Sequence, residues 1–213
     1  MRTDAHISIC KTDVRGGQLT RHAARRIDGG RAYGVSTGLG LPRTWSMSTE
    51  VVLDAFERGF ADSKERDPGK RLQDAVGRAR DALADACDGL VERLVPDATL
   101  VALSFDAGQL HVMSVGPGRV YLQRDGRPKR LTARDDERGG LLRVRPSICA
   151  TPVEPGDLVL AGSITAFSMS AIAKAVSVLN EDPRTAPSIL GGLLTEPAQK
   201  AGVGAAAVVL RVA

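Results

Sequence analysis

The stretch from Leu100 to Leu131 holds three apolar runs separated by turn residues. Leu100-Val101-Ala102-Leu103-Ser104-Phe105 ends at Asp106-Ala107-Gly108. Leu110-His111-Val112-Met113-Ser114-Val115 ends at Gly116-Pro117-Gly118, and Arg119-Val120-Tyr121-Leu122-Gln123-Arg124 ends at Asp125-Gly126. Glycine supplies the positive φ of tight turns and proline a pre-set one, so the spacing predicts an antiparallel meander. The first run alternates nothing: it is apolar on both faces, so both sides of its sheet must be covered. A fold with layers on either side of a sheet follows from this stretch alone.

The flanking segments supply those layers. His6-Ile7-Ser8-Ile9-Cys10 predicts a first strand, Gln18 to Ile27 a polar, half-exposed second, and Arg31 to Ser36 a third after the Asp28-Gly29-Gly30 turn. Ser48-Thr49-Glu50 opens a helix whose Val52, Phe56 and Phe60 share one face and which ends near Ser63. After Pro68-Gly69, Leu72, Val76, Ala79, Leu83, Cys87, Leu90 and Leu94 step by three or four along a second helix, stopped by Pro96. Ala133 to Arg145 lacks periodicity and reads as a loop. Leu158-Val159-Leu160-Ala161 is a buried strand, Ile164 to Leu179 a third helix, Ser188 to Leu194 a shorter fourth, and Ala205 to Val212 a last, wholly apolar strand. Strands, two helices, strands, two helices, strand is the order of a single α+β domain over residues 1–213. Two mostly antiparallel sheets lie face to face in it, with a helix pair outside each.

Composition narrows the function classes. Aromatic residues make up only 3% of the chain, so the core is aliphatic and stacking surfaces for nucleic acid are scarce. Apolar runs are too short to span a bilayer and no targeting segment opens the chain, so cytoplasm is the expected compartment. Cys10, Cys87 and Cys149 lie far apart and suit reduced core thiols better than ligands or bridges. The net charge of +4 is unevenly spread. Residues 50–97 carry 12 acids against 8 bases, and residues 119–145 carry 9 bases against 4 acids.

Four motifs carry a resemblance. Val115-Gly116-Pro117-Gly118-Arg119-Val120-Tyr121-Leu122, with Arg124-Asp125-Gly126 and Leu131-Thr132 after it, resembles the Val-Gly-Asp-Ser-Arg-Ala-Tyr-Leu turn of the metal-dependent serine/threonine protein phosphatases, the PPM or type 2C family. Tyr33-Gly34-Val35-Ser36-Thr37-Gly38-Leu39-Gly40 resembles the family's Val-Ala-Asp-Gly-Met-Gly. Pro155-Gly156-Asp157 through Ser163 resembles the Pro-Gly-Asp strand that leads to Ser-Asp-Gly, and Ala205 to Val212 the closing valine-rich strand. The resemblance implies an α-β-β-α sandwich and a centre in which aspartates at scattered strand ends hold two Mg²⁺ or Mn²⁺ ions that activate a bridging water.

The implied ligand positions are neutral here. The metal-bridging aspartate falls on Thr37, with Gly38 left to offer a carbonyl; the later aspartates fall on Ile164 and Val203, and the turn aspartate on Pro117. The early Asn-Glu-Asp falls between Gln18 and Ile27, with Ala23 at the aspartate. The expectation is therefore a pseudophosphatase with no catalytic residues, no metal and no cofactor. In it Thr37, Ile164 and Val203 pack into a dry pocket, and the protein works as a binding or regulatory module toward a kinase or phosphoprotein. A divergent Mg²⁺- or Mn²⁺-dependent phosphatase with ligands displaced to Asp28, Asp135 or Asp136 is the alternative. A self-associating module, a homodimer pairing through the meander edge and the last strand, is a third.

The remaining polar groups weigh toward ordinary roles. His111 sits mid-strand, Asp135-Asp136-Glu137 is a charge run among arginines, Asp4 and Asp13 lie near turns, and no motif places a histidine beside Ser163 or Ser168. Arg119, Arg124, Arg127, Lys129, Arg130 and Arg134 stand out as candidate contacts for phosphate or an acidic partner, since a guanidinium matches phosphate oxygens pairwise. Without interleaved aromatics they do not point to nucleic acid, and no membrane partner is implied.

Overall fold

The computed structural model describes residues 3–88, 90, 95–133 and 139–213. The elements run β1 (Thr3–Val14), β2 (Gly17–Leu19), β3 (His22–Ile27), β4 (Ala32–Leu39), α1 (Trp45–Asp62), α2 (Pro68–Ala86), β5 (Asp97–Asp106), β6 (Gln109–Val115), β7 (Arg119–Arg124), β8 (Arg127–Arg130), β9 (Ser147–Pro152) and β10 (Leu158–Gly162). A 3₁₀ turn (Ile164–Phe167), α3 (Met169–Glu181), α4 (Pro187–Lys200) and β11 (Val203–Val212) follow. One sheet has the order β2-β1-β11-β10-β7-β8 and the other β3-β4-β5-β6-β9, all pairs antiparallel. The expected α-β-β-α sandwich is the observed one.

Side-chain alternation builds the layers. On β5, Val101 and Leu103 face the other sheet, where they meet Val120, Leu122, Val159, Val208 and Leu210. Leu100 and Ala102, one residue out of phase, face Val52, Phe56, Leu72 and Val76 of α1 and α2. On β11, Ala206, Val208 and Leu210 enter the inter-sheet layer while Ala205, Ala207 and Val209 pack under Ala171, Leu179, Leu190 and Leu194 of α3 and α4. Each Val or Leu so buried contributes about 1.5–3 kcal/mol, so a strand apolar on both faces anchors two layers at once.

The meander is corrected in one respect. β5 and β6 pair as expected, but β7 belongs to the other sheet, between β10 and β8. The chain crosses at Gly116-Pro117-Gly118. Gly116 has φ +78, and a Cβ on Gly118 would come 2.2 Å from Val101 Cγ2. Only a residue without a side chain lets the backbone pass that close to β5 and enter the facing layer.

Other boundaries shift for local reasons. The second helix ends at Ala86 with Cys87 as its C-cap; Leu90 is exposed and Leu94 lies outside the described residues. α4 continues through Gly191-Gly192 and Pro197 to Lys200, and Gly191 packs so tightly on His6 that a Cβ would meet its ring at 2.9 Å. Strands β8 and β9 carry too few apolar residues to be read as buried strands. The last strand is no edge: β11 is paired on both sides, by β1 and β10, so it cannot join two copies. No helix among the described residues is long and apolar enough to cross a membrane.

Candidate functional site

The strand ends that the sequence singled out do converge. Thr37 lies two residues from the end of β4, directly opposite His22 on β3, and Val203 opens β11 opposite Thr12 of β1. β10 ends at Gly162, and the next residue, Ser163, donates its N–H to Ala206 O at 2.9 Å and accepts the Ala206 N–H on its hydroxyl at 3.2 Å. Ile164 follows immediately. Antiparallel pairing therefore places Thr37, Gly38, Ile164 and Val203 at one end of the sandwich.

What fills the centre is a histidine. His22 is 1% exposed, with Nδ1 at 3.0 Å from Thr37 Oγ1 and Nε2 at 3.4 Å from the Val203 carbonyl oxygen. A carbonyl only accepts, so Nε2 carries the proton, and in the neutral ring Nδ1 accepts from the threonine hydroxyl. Thr12 Oγ1 donates to the same Val203 carbonyl at 2.9 Å. Burial, reinforced by the positive charge of Arg21, pushes the His22 pKa down from 6.5 to about 4 against the opposing hydrogen bond to Val203, so the ring is neutral near pH 7.

Arg21 closes the cluster. Its Nε donates to Gly38 O at 3.3 Å and its guanidinium lies 4.9 Å from the centre of the Trp45 ring. Burial lowers its pKa from the ordinary value. Gly38 is held in place from the other side: a Cβ there would stand 2.7 Å from Trp45 Cα. Its carbonyl, the one oxygen the motif leaves for a cation, already receives the arginine.

The dry pocket does not form. Thr37 is buried, but Ile164 and Val203 are 37% and 41% exposed. Both residues are open to solvent at their strand ends, while the Val203 carbonyl and the Ser163 backbone and hydroxyl make the hydrogen bonds above. Ala23, at the position of the early aspartate, lies opposite Ser36 rather than Thr37.

As a donor set for two divalent cations, this arrangement does not fit. A threonine hydroxyl, a neutral imidazole and backbone carbonyls already in hydrogen bonds bring no negative charge, and Arg21 adds a positive one. Among the described residues no three His, Cys, Asp or Glu side chains gather to hold a metal. Asp28 is no substitute ligand. It lies six residues from His22 along β3, about 20 Å at the rise of a strand, and pairs with Arg31 at 3.4 Å. Asp135 and Asp136 lie outside the described residues.

The basic residues do not form one patch. Arg119 begins β7 and donates to Phe167 O at 3.0 Å, whereas Arg124, at the far end of that strand, grips Asp157 with Nε and Nη2 at 2.9 and 2.7 Å and Glu154 with Nη1 at 2.9 Å. Burial alone would raise the Asp157 carboxyl; Arg124 and the Glu154 N–H override it and hold the group below the usual carboxylate range. Arg127, Lys129 and Arg130 lie on β8, the edge of the six-stranded sheet, and Arg134 lies outside the described residues. A basic, proline-containing edge strand discourages pairing with a second sheet.

His22 and Arg21 were the residues that strand reading missed. The available signal was their place in the span Gln18 to Ile27, which the resemblance assigns to the centre; what no pattern gave was the register that sets His22 against Thr37. Three lesser groups also have structural roles. The buried Asp97 carboxylate accepts the N–H groups of Ala98, Gly140 and Leu142 at 2.8–3.2 Å, and the Cys10 and Cys87 thiols reach the Thr195 and Pro96 carbonyls at 3.6 Å.

Comparison with protein-family models and with curated proteins found no match. Solved structures do match. The PPM Ser-Thr phosphatase MsPP from Mycobacterium smegmatis, solved with cacodylate, is 21% identical with a TM-score of 0.79, over 98% of each chain. The serine/threonine phosphatase PstP/Ppp of Mycobacterium tuberculosis is 18% identical with a TM-score of 0.80, over 99% of this chain and 98% of its own. A PstP catalytic domain in complex with two manganese ions is 19% identical with a TM-score of 0.83, over 99% of each chain. Across nearly its whole length, this chain therefore has the fold of the PPM serine/threonine phosphatases.

Proposed function

We propose that the chain is a pseudophosphatase: a PPM-type scaffold that binds a protein partner, a kinase or a phosphoprotein, and regulates it without hydrolysing phosphate. The observation that carries this reading is the Thr37–His22–Val203 chain of hydrogen bonds with Arg21 beside it, at the strand ends where the resemblance puts carboxylates. Two doubly charged ions need several anionic oxygens to offset their dehydration, and a phosphoryl transfer needs the ions to offset charge on the equatorial oxygens. A buried neutral imidazole and a guanidinium supply neither. The same groups make a hydrogen-bonded centre without carboxylates, which suits a scaffold whose surfaces do the work.

Phosphate release from phosphoserine and phosphothreonine peptides, with and without millimolar Mn²⁺ or Mg²⁺, tests the reading. The expected result is no metal-dependent release and no heat of Mn²⁺ binding by titration calorimetry. Turnover that rises with Mn²⁺ and disappears with a chelator overturns it and favours a divergent phosphatase.

A further inference from the structure

At the opposite end of β5 from Thr37, a cleft of ≈ 470 Å³ opens between the β5–β6 turn, the α1–α2 connection and the turn before β4. Its wall includes Arg31, Arg66 and Arg71, the carboxylates of Glu65 and Asp106, and Ser104. Ser104 is 1% exposed, yet among the described residues its hydroxyl has no hydrogen-bond partner. It stands on the helix-facing side of β5, in phase with Leu100 and Ala102, where an apolar residue is expected. The buried Arg71 Nε also lacks a partner among the described residues. The rest of that guanidinium is held in place: Nη2 reaches Ser63 O at 3.4 Å and the group lies 4.9 Å from the centre of the Phe60 ring. Buried polar atoms are almost always satisfied, so two orphans in one wall mark a place where an acceptor belongs.

The charges of the cleft are also unsettled. Among the described residues, no ion pair within 4 Å joins Glu65 or Asp106 to its arginines, and Arg31 reaches only Asp28, at 3.4 Å. By contrast, three arginines elsewhere are closed off: Arg25 by Asp54 and Glu57, Arg124 by Asp157 and Glu154, and Arg80 by the Leu141 and Val144 carbonyls.

We propose that this cleft binds a phosphomonoester dianion. Both donors lie just beneath the free surface of the wall, so the Ser104 hydroxyl and the Arg71 guanidinium turn toward the cleft as it fills; tetrahedral oxygens then accept from the Arg71 Nε–H and the Ser104 hydroxyl, and Arg31 and Arg66, on exposed stems, close over the outer oxygens. The space exceeds a bare phosphate and is of the size of small-ligand clefts. Glu65 and Asp106 then accept from hydroxyl or N–H groups on the molecule that carries the phosphate. The site is separate from the Thr37 end and does not depend on whether the chain hydrolyses anything.

Calorimetric titration of the full chain with inorganic phosphate, a phosphoserine peptide and the unphosphorylated peptide tests the proposal. Phosphate-bearing probes bind, and Arg71→Gln and Arg66→Gln each weaken binding about tenfold or more. Arg66 is exposed and makes no hydrogen bond or ion pair among the described residues, so Arg66→Gln leaves the fold intact. Ser104→Ala weakens binding without lowering the melting temperature, and Arg21→Gln, at the other end of the sandwich, leaves binding unchanged. Binding of the phosphopeptide alone assigns the phosphate to a protein side chain, and binding of inorganic phosphate as well admits a small carrier; both support the site. No binding of either probe at millimolar concentration, equal affinity for the unphosphorylated peptide, or loss with Arg21→Gln but not with Arg66→Gln overturns it.

Discussion

Replacing His22 by glutamine should change how the stability of this protein responds to acid. In the folded chain the imidazole titrates near 4, because burial and the neighbouring Arg21 disfavour its charged form, against 6.5 when exposed. Between these values the unfolded chain binds a proton that the folded chain does not, so unfolding is favoured as pH falls. The contribution of His22 is intact above pH 6.5 and shrinks by roughly 1.4 kcal/mol per unit below it, until the folded state also protonates near 4. By pH 5 the cost is about 2 kcal/mol, a large share of the 5–15 kcal/mol typical of a domain. Glutamine can still accept from Thr37 and donate to the Val203 carbonyl, but it does not titrate. Urea unfolding at pH 5, 6, 7 and 8 should show the wild type losing about 2 kcal/mol more than His22→Gln between pH 8 and pH 5. Parallel pH profiles for the two proteins would falsify the assignment of a buried, neutral histidine at the centre.

Further outcomes follow from other contacts. Thr37→Asp should raise the His22 pKa measured by NMR, since a carboxylate beside Nδ1 favours the imidazolium, whereas Thr37→Val should leave the ring neutral and cost about 1 kcal/mol for the lost hydrogen bond. Gly38→Ala drives a Cβ to 2.7 Å from the Trp45 backbone and should destabilise by about 1–3 kcal/mol in thermal unfolding, with a change in tryptophan fluorescence. Arg124→Gln leaves the Asp157 carboxylate buried without its cation and should lower the urea midpoint well beyond any effect of Arg127→Gln on the exposed edge. Replacing Arg127 and Lys129 together by threonine and valine should promote self-association, read by light scattering over a concentration series, because β8 then becomes an unguarded edge.

Most of the architecture was legible where burial is periodic. Val52, Phe56 and Phe60 marked α1, the unbroken apolar runs of β5 and β11 marked strands buried on both faces, and Asp106-Ala107-Gly108 marked the turn from β5 into β6. The crossing at Gly116-Pro117-Gly118 was not legible, because a glycine turn looks the same whether the next strand pairs with its neighbour or departs for the other sheet. β9 escaped notice since Ser147-Ile148-Cys149-Ala150-Thr151-Pro152 is an edge with only intermittent burial. At the centre, the replaced positions Thr37, Ile164 and Val203 could be found one by one. The exposure of Ile164 and Val203, and the place of His22 between Thr37 and the Val203 carbonyl, could not, because they depend on pairings such as His22–Val203 and Ser163–Ala206 that link residues more than forty positions apart.

The place of β11 between β1 and β10 also sets an order of events during synthesis. The strands β3 to β6, with α1 and α2, are contiguous in the chain and can assemble early. β1 has no long partner until Val203–Val212 emerges, which at about 5–20 residues per second is some 10–40 s after Thr3–Val14 leaves the ribosome. Through that interval the apolar side of β1 is exposed to solvent and to other nascent chains, so chaperone demand should fall on the first strand of this protein rather than on its helices.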